Sequence, residues 1–164
     1  MAKTPQQVFE ELTKGLPHFD DGRINFTDVK KAPVLNVVVY CQGEILIVKR
    51  SQKVSAYQGL WNGISGFIDE PKSIETFALQ ELKEELSITP DSLQVAHPYE
   101  VDDRTIDRVW VVYPVLAMLT QKPKNIILDW EHTEYRWITP KDLKHYTYVK
   151  DFDRSVSEAL ELIF

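Results

Sequence analysis

One segment restricts the fold of this chain more than any other: residues 66–88, GFIDEPKSIETFALQELKEELSI. Ser73 is a favourable helix N-cap residue, and Pro90 prevents a long continuation of any helix that starts there. We therefore predict a helix over residues 73–87. Gly66 opens the loop before it, and a glycine there allows a backbone carbonyl to approach a ligand closely.

Three glutamates gather on one side of the predicted helix. At 100° per residue, Glu81, Glu84 and Glu85 fall within an arc of about 100°. The opposite side carries three leucines, which are expected to pack against a sheet: Leu79, Leu82 and Leu86. Like charges one turn apart repel, and Mg²⁺ or Mn²⁺ would neutralise them. Taken alone, the triplet is more typical of a solvated acidic face than of a metal site.

The rest of the chain alternates between strand-like and helix-like segments. Strands are predicted at residues 23–29, 32–40, 44–49, 94–101, 108–119 and 135–138, and helices at residues 6–14, 140–145 and 151–163. Residues 32–40 are nearly all apolar, which is typical of a strand buried on both faces. Pro114 predicts an edge position or a bulge for its strand. This order has no regular βαβ rhythm and indicates a mixed α+β or α/β sandwich.

Charge and cysteine content exclude several classes of protein. The 164 residues include 19 basic and 25 acidic side chains, a formal charge of −6, which argues against binding to a nucleic-acid duplex. Nucleotides stay open, because a metal ion can bridge acidic groups to phosphates. Cys41 has no partner for an internal disulfide, and no apolar run is long enough to span a bilayer. With a polar, helical N-terminus in place of a leader, these features predict a cytoplasmic protein without a membrane partner.

Residues 66–88 resemble the signature of the Nudix hydrolases, G-x5-E-x7-R-E-U-x-E-E-x-G-U, where U is a bulky aliphatic residue. Six positions of this chain match: Gly66, Glu81, Leu82, Glu84, Glu85 and Ile88. Three depart, with Lys72 in place of the first Glu, Gln80 in place of Arg, and Ser87 in place of the second Gly. Downstream, residues 134–143 (EYRWITPKDL) resemble the strand and short helix that follow in the family. The resemblance covers roughly residues 33–162.

The resemblance implies a fold and an activity. The fold would be an α/β/α sandwich around a mixed β-sheet, formed by residues 33–164. Residues 1–32 would be a helix and strand extension, whose role in forming a homodimer or covering a sheet edge is open. The activity would be Mg²⁺- or Mn²⁺-dependent hydrolysis of a diphosphate that joins a nucleoside to another moiety, as in nucleotides, ADP-ribose or nucleotide sugars. The partner would thus be a small molecule.

The resemblance also implies roles for individual residues. Glu81 and Glu85 would be metal ligands, with Glu84 sharing the metal or its water shell and a carbonyl of Ser65 or Gly66 completing the site. Glu81 is also a possible base for the attacking water.

The loop before the last strand would add a further carboxylate. Glu131 is preferred to Glu134 because it lies further into the loop from Trp137, although both are equally typical of surface acids. With Glu81 and Glu84, Glu131 completes the predicted catalytic set. His132 is a candidate base or substrate contact, but an exposed loop histidine is the favoured interpretation.

Substrate contacts are predicted upstream of the signature. Arg50 follows a strand that leads into the active loop, where a cation suits phosphates, although a surface charge is as typical there. Tyr57 and Trp61 are candidates to stack on a base. For Trp61, burial at the edge of the core is favoured. The turn at residues 102–104 (DDR) is expected to be solvated.

The departures from the signature keep other functions open. Gln80 lacks the charge with which the family's Arg orients the next Glu, so reduced or unusual activity is expected. Lys72 is expected to pair with Asp69, Glu70 or a glutamate of the signature, or to contact phosphate. One alternative is a non-catalytic nucleotide-binding sensor. Another is an isoprenoid-diphosphate isomerase-like relative, which would need Cys41 as a catalytic thiol, although a buried structural thiol is favoured.

Overall fold

The computed structural model describes residues 3–164, without the side chains of residues 5 and 8. In chain order the elements are α1 Pro5–Thr13, β1 Lys31–Cys41, β2 Glu44–Arg50, β3 Trp61–Asn62, β4 Ile64–Phe67, α2 Ile74–Leu86, β5 Ser92–Val95, β6 Tyr99–Asp103, β7 Arg108–Leu119, β8 His132–Ile138, a 3₁₀ helix at Pro140–His145 and α3 Phe152–Leu160.

These strands form one mixed sheet with β1 near its centre. β1 pairs in parallel with β7 and antiparallel with both β2 and β4. β8 pairs with β2 on one side, while β5 and β6 pair with successive parts of β7 on the other. Helix α2 packs on one face of the sheet and α3 on the opposite face. The predicted α/β/α sandwich around a mixed sheet is confirmed.

Strand β1 is buried on both faces, as its apolar sequence predicts. Leu35, Val37 and Val39 face the core beneath α2, and Val38 faces the core beneath α3. Alternation along the strand sends successive side chains to opposite faces, so a strand between two helical layers must be apolar at nearly every position. Asn36 is the polar exception on the α3 face.

Of the two predictions for the strand around Pro114, an edge position or a bulge, the edge position is wrong, because β7 has partners on both sides. The carbonyl of Pro114 accepts a hydrogen bond from the backbone nitrogen of Ala96, at 2.9 Å. Its nitrogen faces the same side, where the partner strand changes from β5 to β6. The missing N–H of Pro114 therefore falls at the break between two partners and interrupts no ladder. The same break divides the strand predicted at residues 94–101.

The strand predicted at residues 23–29 is also wrong. In the described part of the chain, residues 23–29 have one strand-like pairing, an isolated bridge between His18 and Ile24. The nitrogen of Ile24 donates to the carbonyl of Asp69, in the loop that precedes α2, at 2.9 Å. The backbone groups of this segment form hydrogen bonds with loops and not with a neighbouring strand. The segment is therefore extended and lies over the start of the signature.

Helix α2 has the predicted boundaries. Ser73 caps it by accepting a hydrogen bond from the nitrogen of Thr76 at 3.1 Å. Ser87 ends it in the left-handed region, at φ 57°. None of the helices described in residues 3–164 combines the length and the apolar character needed to cross a membrane.

Candidate active site

The carboxylate of Glu81 lies directly over Gly66. A Cβ atom added to Gly66 would come within 2.8 Å of Oε1 of Glu81. Along β4, alternation turns Gly66 toward α2 and turns Ser65 and Phe67 toward the opposite face of the sheet. Glycine at this position therefore leaves the space that the Glu81 side chain occupies.

Glu85 is the most buried carboxylate of the helix, with 2% of its surface exposed. Its Oε2 atom has no hydrogen-bond partner among the described residues. Potential ligand atoms of Glu85, Glu131 and His132 lie within 4.8 Å of one another. The loop that brings them together is held by backbone hydrogen bonds, including one from the nitrogen of Ser51 to the carbonyl of Glu131 at 2.7 Å.

Crowding and burial make these carboxylates hard to ionise without a cation. Burial, followed by the charges of Glu84 and Glu131, raises the pKa of Glu81 to about 8. For Glu85, burial and then a hydrogen bond with Glu131 raise the pKa far above its ordinary value of 4.5. A divalent cation would supply the missing positive charge, and a donor set made mainly of carboxylate oxygens, with one imidazole nearby, suits Mg²⁺ or Mn²⁺. The residues present therefore fit a divalent metal.

Arg50 stands beside this acidic group. Its Nε donates to the carbonyl of Ala56 at 3.1 Å. Burial lowers the pKa of Arg50, and the charges of Glu131 and Glu85 oppose that shift. Arg50 and Glu131 both line a cleft of about 250 Å³ that runs from Glu131 across the α3 face of the sheet. A cation next to the acidic group thus faces the space in which a ligand would lie.

Aromatic side chains line much of the rest of the cleft: Tyr57, Phe67, Tyr99, Trp110, Trp130 and Phe152. The Tyr57 hydroxyl donates to Asp103 at 2.6 Å and accepts from Nε1 of Trp110 at 2.9 Å. Asp103 is buried, with 2% exposed, so the expectation of a fully solvated turn is wrong at this residue. Sequence reasoning missed both Asp103 and Trp110, since neither lies near the signature.

Two predicted acids lie away from the buried group. Glu84 is exposed and accepts a hydrogen bond from Nε2 of Gln80 at 3.1 Å. Glu134 lies on β8 opposite Lys49, with an ion-pair distance of 3.6 Å. The preference for Glu131 over Glu134 thus agrees with where the two side chains lie.

His132 is buried, with 6% exposed, so the expectation of an exposed loop histidine is wrong. Strand β8 begins at His132, where it pairs with Arg50, rather than at residue 135. The Nδ1 atom of His132 lies 3.4 Å from Oδ1 of Asp129. Pairing with β2 carries the imidazole into the interior beside Glu85.

Trp61 and Cys41 lie in the cores and not in the cleft. Trp61 is 7% exposed, and Tyr146 packs on its ring edge with centroids 5.3 Å apart. Its predicted role as a substrate contact is therefore wrong, and burial is correct. Cys41 is fully buried beneath α2, and burial raises the pKa of its thiol. It is unsuited to be the catalytic thiol that an isomerase-like relative would need.

Two further details of α2 and its loop differ from a simple amphipathic pattern. Leu79 is 44% exposed, so its expected burial is wrong. The buried side of the helix is rotated toward the glutamates and includes Glu85 in place of Leu79. Lys72 pairs with Glu70 at 3.1 Å, one of the partners predicted for it.

Comparison with known proteins identifies the family. A family model described as NUDIX domain matches residues 30–160. The chain belongs to the NUDIX family. A search of curated protein sequences found no match.

Solved structures share this fold at low sequence identity. The NUDIX domain of Shewanella oneidensis NrtR, in complex with ADP ribose, is 22% identical, with a TM-score of 0.66 over 82% of this chain and 89% of that one. A MutT NUDIX hydrolase from Burkholderia pseudomallei is 18% identical, with a TM-score of 0.66 over 79% and 98%. A bifunctional NMN adenylyltransferase/ADP ribose pyrophosphatase from Francisella tularensis, complexed with AMP and a Mn ion, is 20% identical, with a TM-score of 0.64 over 80% and 42%.

Proposed function

We propose that this NUDIX protein is a pyrophosphohydrolase that uses Mg²⁺ or Mn²⁺ to cleave the diphosphate of a nucleoside diphosphate joined to another moiety. One observation carries the proposal. Glu85 is buried beside Glu131 and next to Glu81, and one of its carboxylate oxygens has no hydrogen-bond partner in the described part of the chain. A group of acids this crowded is costly unless a cation neutralises it, and a cation there would attract phosphates.

The metal would be held by Glu81, Glu85 and Glu131, with a backbone carbonyl of Ser65 or Gly66. When bound, it would neutralise the phosphate oxygens and acidify the attacking water. Glu84 is exposed one turn along α2, and we propose that it acts through the water shell of the metal. The buried imidazole of His132 lies close enough to Glu85 and Glu131 to serve as a further ligand or to orient them.

The protein's own side chains would position the diphosphate and accept a proton. Among the described residues, the hydrogen bond from Nε to Ala56 is the single side-chain bond of Arg50, so both Nη atoms can donate to phosphate oxygens. Glu81 and Glu131 are the two candidate bases, because both are partly exposed whereas Glu85 is buried. Either carboxylate would take the proton of the attacking water.

A nucleotide-type substrate is supported by the cleft and by the relatives. The cleft joins a cation and the acidic group to a row of aromatic side chains. The NrtR NUDIX domain binds ADP ribose and the Francisella protein binds AMP, which supports a small nucleotide ligand on this fold. We place the reaction in the cytoplasm, in keeping with the single buried thiol.

The test is a product-release assay with Mg²⁺ or Mn²⁺ over ADP-ribose, nucleoside triphosphates, nucleotide sugars and dinucleoside polyphosphates. The wild type is compared with Glu85→Gln, and Glu75→Gln serves as a matched control on the exposed first turn of α2. We expect Glu85→Gln to lose about 100-fold or more of the activity, since loss of even an indirect metal contact typically costs 10- to 100-fold. Equal rates for wild type and Glu85→Gln would refute the assignment.

A second function is favoured by two of the three departures in the signature, Lys72 and Gln80. Lys72 pairs with Glu70 and supplies no carboxylate, and Gln80 bonds to Glu84 in place of a charged contact with Glu81. A nucleotide-binding sensor without turnover would tolerate both. Tight, metal-dependent binding of a nucleotide, with no product in the same assay, would support the sensor.

A further inference from the structure

We propose that the N-terminal segment, residues 16–30, is part of the substrate site. It packs behind two rings of the cleft, Phe67 and Trp110, and keeps them in place as an aromatic wall on which a nucleobase stacks. Phe26 is the positioning residue of this wall. All of the segment except residue 30 lies before the region matched by the family model, residues 30–160. The proposal rests on the proposed function, since it places the diphosphate of the ligand at the glutamates.

The first link is a stack between Phe26 and Phe67. Their ring centroids lie 5.1 Å apart and their planes differ by 16°. Phe26 is 3% exposed, within a small core that includes Ile24, whereas Phe67 is 39% exposed and lines the cleft. One face of the Phe67 ring is therefore backed by a fixed side chain, and the open part of the ring points into the cleft.

The second link joins the segment to Trp110. The ring centroids of Trp110 and Phe67 lie 6.0 Å apart, and the guanidinium of Arg108 lies 5.3 Å from the Trp110 ring centroid. Arg108 donates through Nη2 to the carbonyl of Thr27 at 2.8 Å. With the hydrogen bond from its indole nitrogen to Tyr57, Trp110 is held from both ends.

A third link holds the segment against the loop of the signature. The nitrogen of Ile24 donates to the carbonyl of Asp69 at 2.9 Å, and Arg23 lies 3.9 Å from the Asp69 carboxylate. Phe67 is separated from Gly66, over which Glu81 lies, by a single peptide bond. Gly66, Glu131 of the acidic group and both rings of the wall line the same cleft, so a single nucleoside diphosphate can contact the acidic group and the wall.

A rigid wall suits a flat aromatic ligand. Exposed Phe and Trp faces lose unfavourable contact with water when another ring covers them, and a stack of this kind accepts any base. A wall that is held in place before binding loses little side-chain freedom on binding, so more of the contact contributes to affinity. A free phosphate offers no flat apolar face, so the wall selects for the nucleoside end of the substrate over the diphosphate.

The test compares two non-hydrolysable ligands that differ by the nucleoside, α,β-methylene-ADP and methylenediphosphonate, both with Mg²⁺. The wild type is expected to bind α,β-methylene-ADP about tenfold or more tightly than methylenediphosphonate. Phe67→Ala and Phe26→Leu should lose most of this ratio while their affinity for methylenediphosphonate stays within about twofold. Ile24→Val trims the same small core without removing a ring from the stack and should keep the ratio. With any nucleotide that is turned over, Phe26→Leu should raise KM and leave kcat unchanged.

The outcomes separate this proposal from the proposed function. If methylenediphosphonate binds but α,β-methylene-ADP binds no better, the wall is not a base site and the metal-diphosphate assignment survives. If Phe26→Leu stays folded by thermal unfolding and keeps the full ratio, Phe26 has no positioning role and the proposal is overturned. If neither ligand binds the wild type, both proposals fail.

Discussion

The Oε1 atom of Glu81 occupies the space that a side chain on Gly66 would need, at 2.8 Å from the position of its Cβ. Gly66→Ala should therefore displace the Glu81 carboxylate and weaken Mg²⁺ binding about tenfold or more, with a loss of stability of about 1–3 kcal/mol from overpacking. Isothermal titration with Mg²⁺ and thermal unfolding measure the two effects. Ser65→Ala is the control, since the Ser65 side chain faces the opposite side of β4. Unchanged Mg²⁺ affinity in Gly66→Ala would show that Glu81 is not a ligand.

Buried Glu85 and partly buried Glu81 make the stability of the metal-free protein depend on pH. Both have a pKa above the ordinary 4.5, about 8 for Glu81 and higher for Glu85. A carboxyl whose pKa is raised by folding stabilises the fold while it is protonated, and this contribution is lost as the pH rises toward the folded-state pKa. The metal-free protein should therefore lose stability from pH 4.5 to pH 8.

Glu85→Gln tests this expectation directly. An amide of the same shape cannot ionise, so metal-free Glu85→Gln should be more stable than wild type at pH 8 by about 1 kcal/mol or more, and similar to it at pH 4.5. Added Mg²⁺ should stabilise the wild type, increasingly so toward pH 8, and should have little effect on Glu85→Gln. Thermal unfolding across this pH range with and without Mg²⁺ gives all the comparisons. Wild-type stability that stays constant or increases toward pH 8 would contradict the buried-acid account.

The two downstream glutamates form a matched pair. Glu131 is part of the buried acidic group, whereas Glu134 lies on β8 between Lys49 and Arg136, at 3.6 Å from each. Glu131→Gln should lower activity about 10- to 100-fold. Glu134→Gln breaks only half-exposed ion pairs, each worth about 1 kcal/mol or less, and should stay within about twofold of wild type. Steady-state rates of both variants show which glutamate belongs to the active site. A greater loss of activity in Glu134→Gln than in Glu131→Gln would reverse the assignment.

Ser87 ends α2 at φ 57°, a conformation that glycine adopts without strain. Ser87→Gly restores the residue of the family signature and should stabilise the protein by about 0.5–1 kcal/mol. Metal binding and activity should stay unchanged, because the site lies at the other side of the helix. Ser73→Ala, at the opposite end, removes a side-chain cap and should destabilise by about 1 kcal/mol. Chemical denaturation of both variants checks the opposite signs.

Several features of this protein were determined by short stretches of sequence. The N-cap at Ser73, the exit before Pro90 and the spacing of the glutamates predicted α2. The apolar run of β1 predicted a strand covered on both faces, which the two helical layers confirm. Each of these signals lies within about two helical turns or one strand, so local geometry and hydrophobic pattern were sufficient.

Other features were decided only when distant segments met. His132 and Asp103 look like surface residues in the sequence, but pairing of β8 with β2 and closure of the cleft bury them. Pro114 fits a central strand because the partner strand changes there. Residues 23–29 form no strand and instead pack over the loop at Asp69. Burial and hydrogen-bond partners depend on which segments pack together. The hydrophobic period of a single segment does not show which other segments will pack against it. The glutamates were therefore evident from the sequence, whereas the aromatic wall beside them exists only in the folded chain.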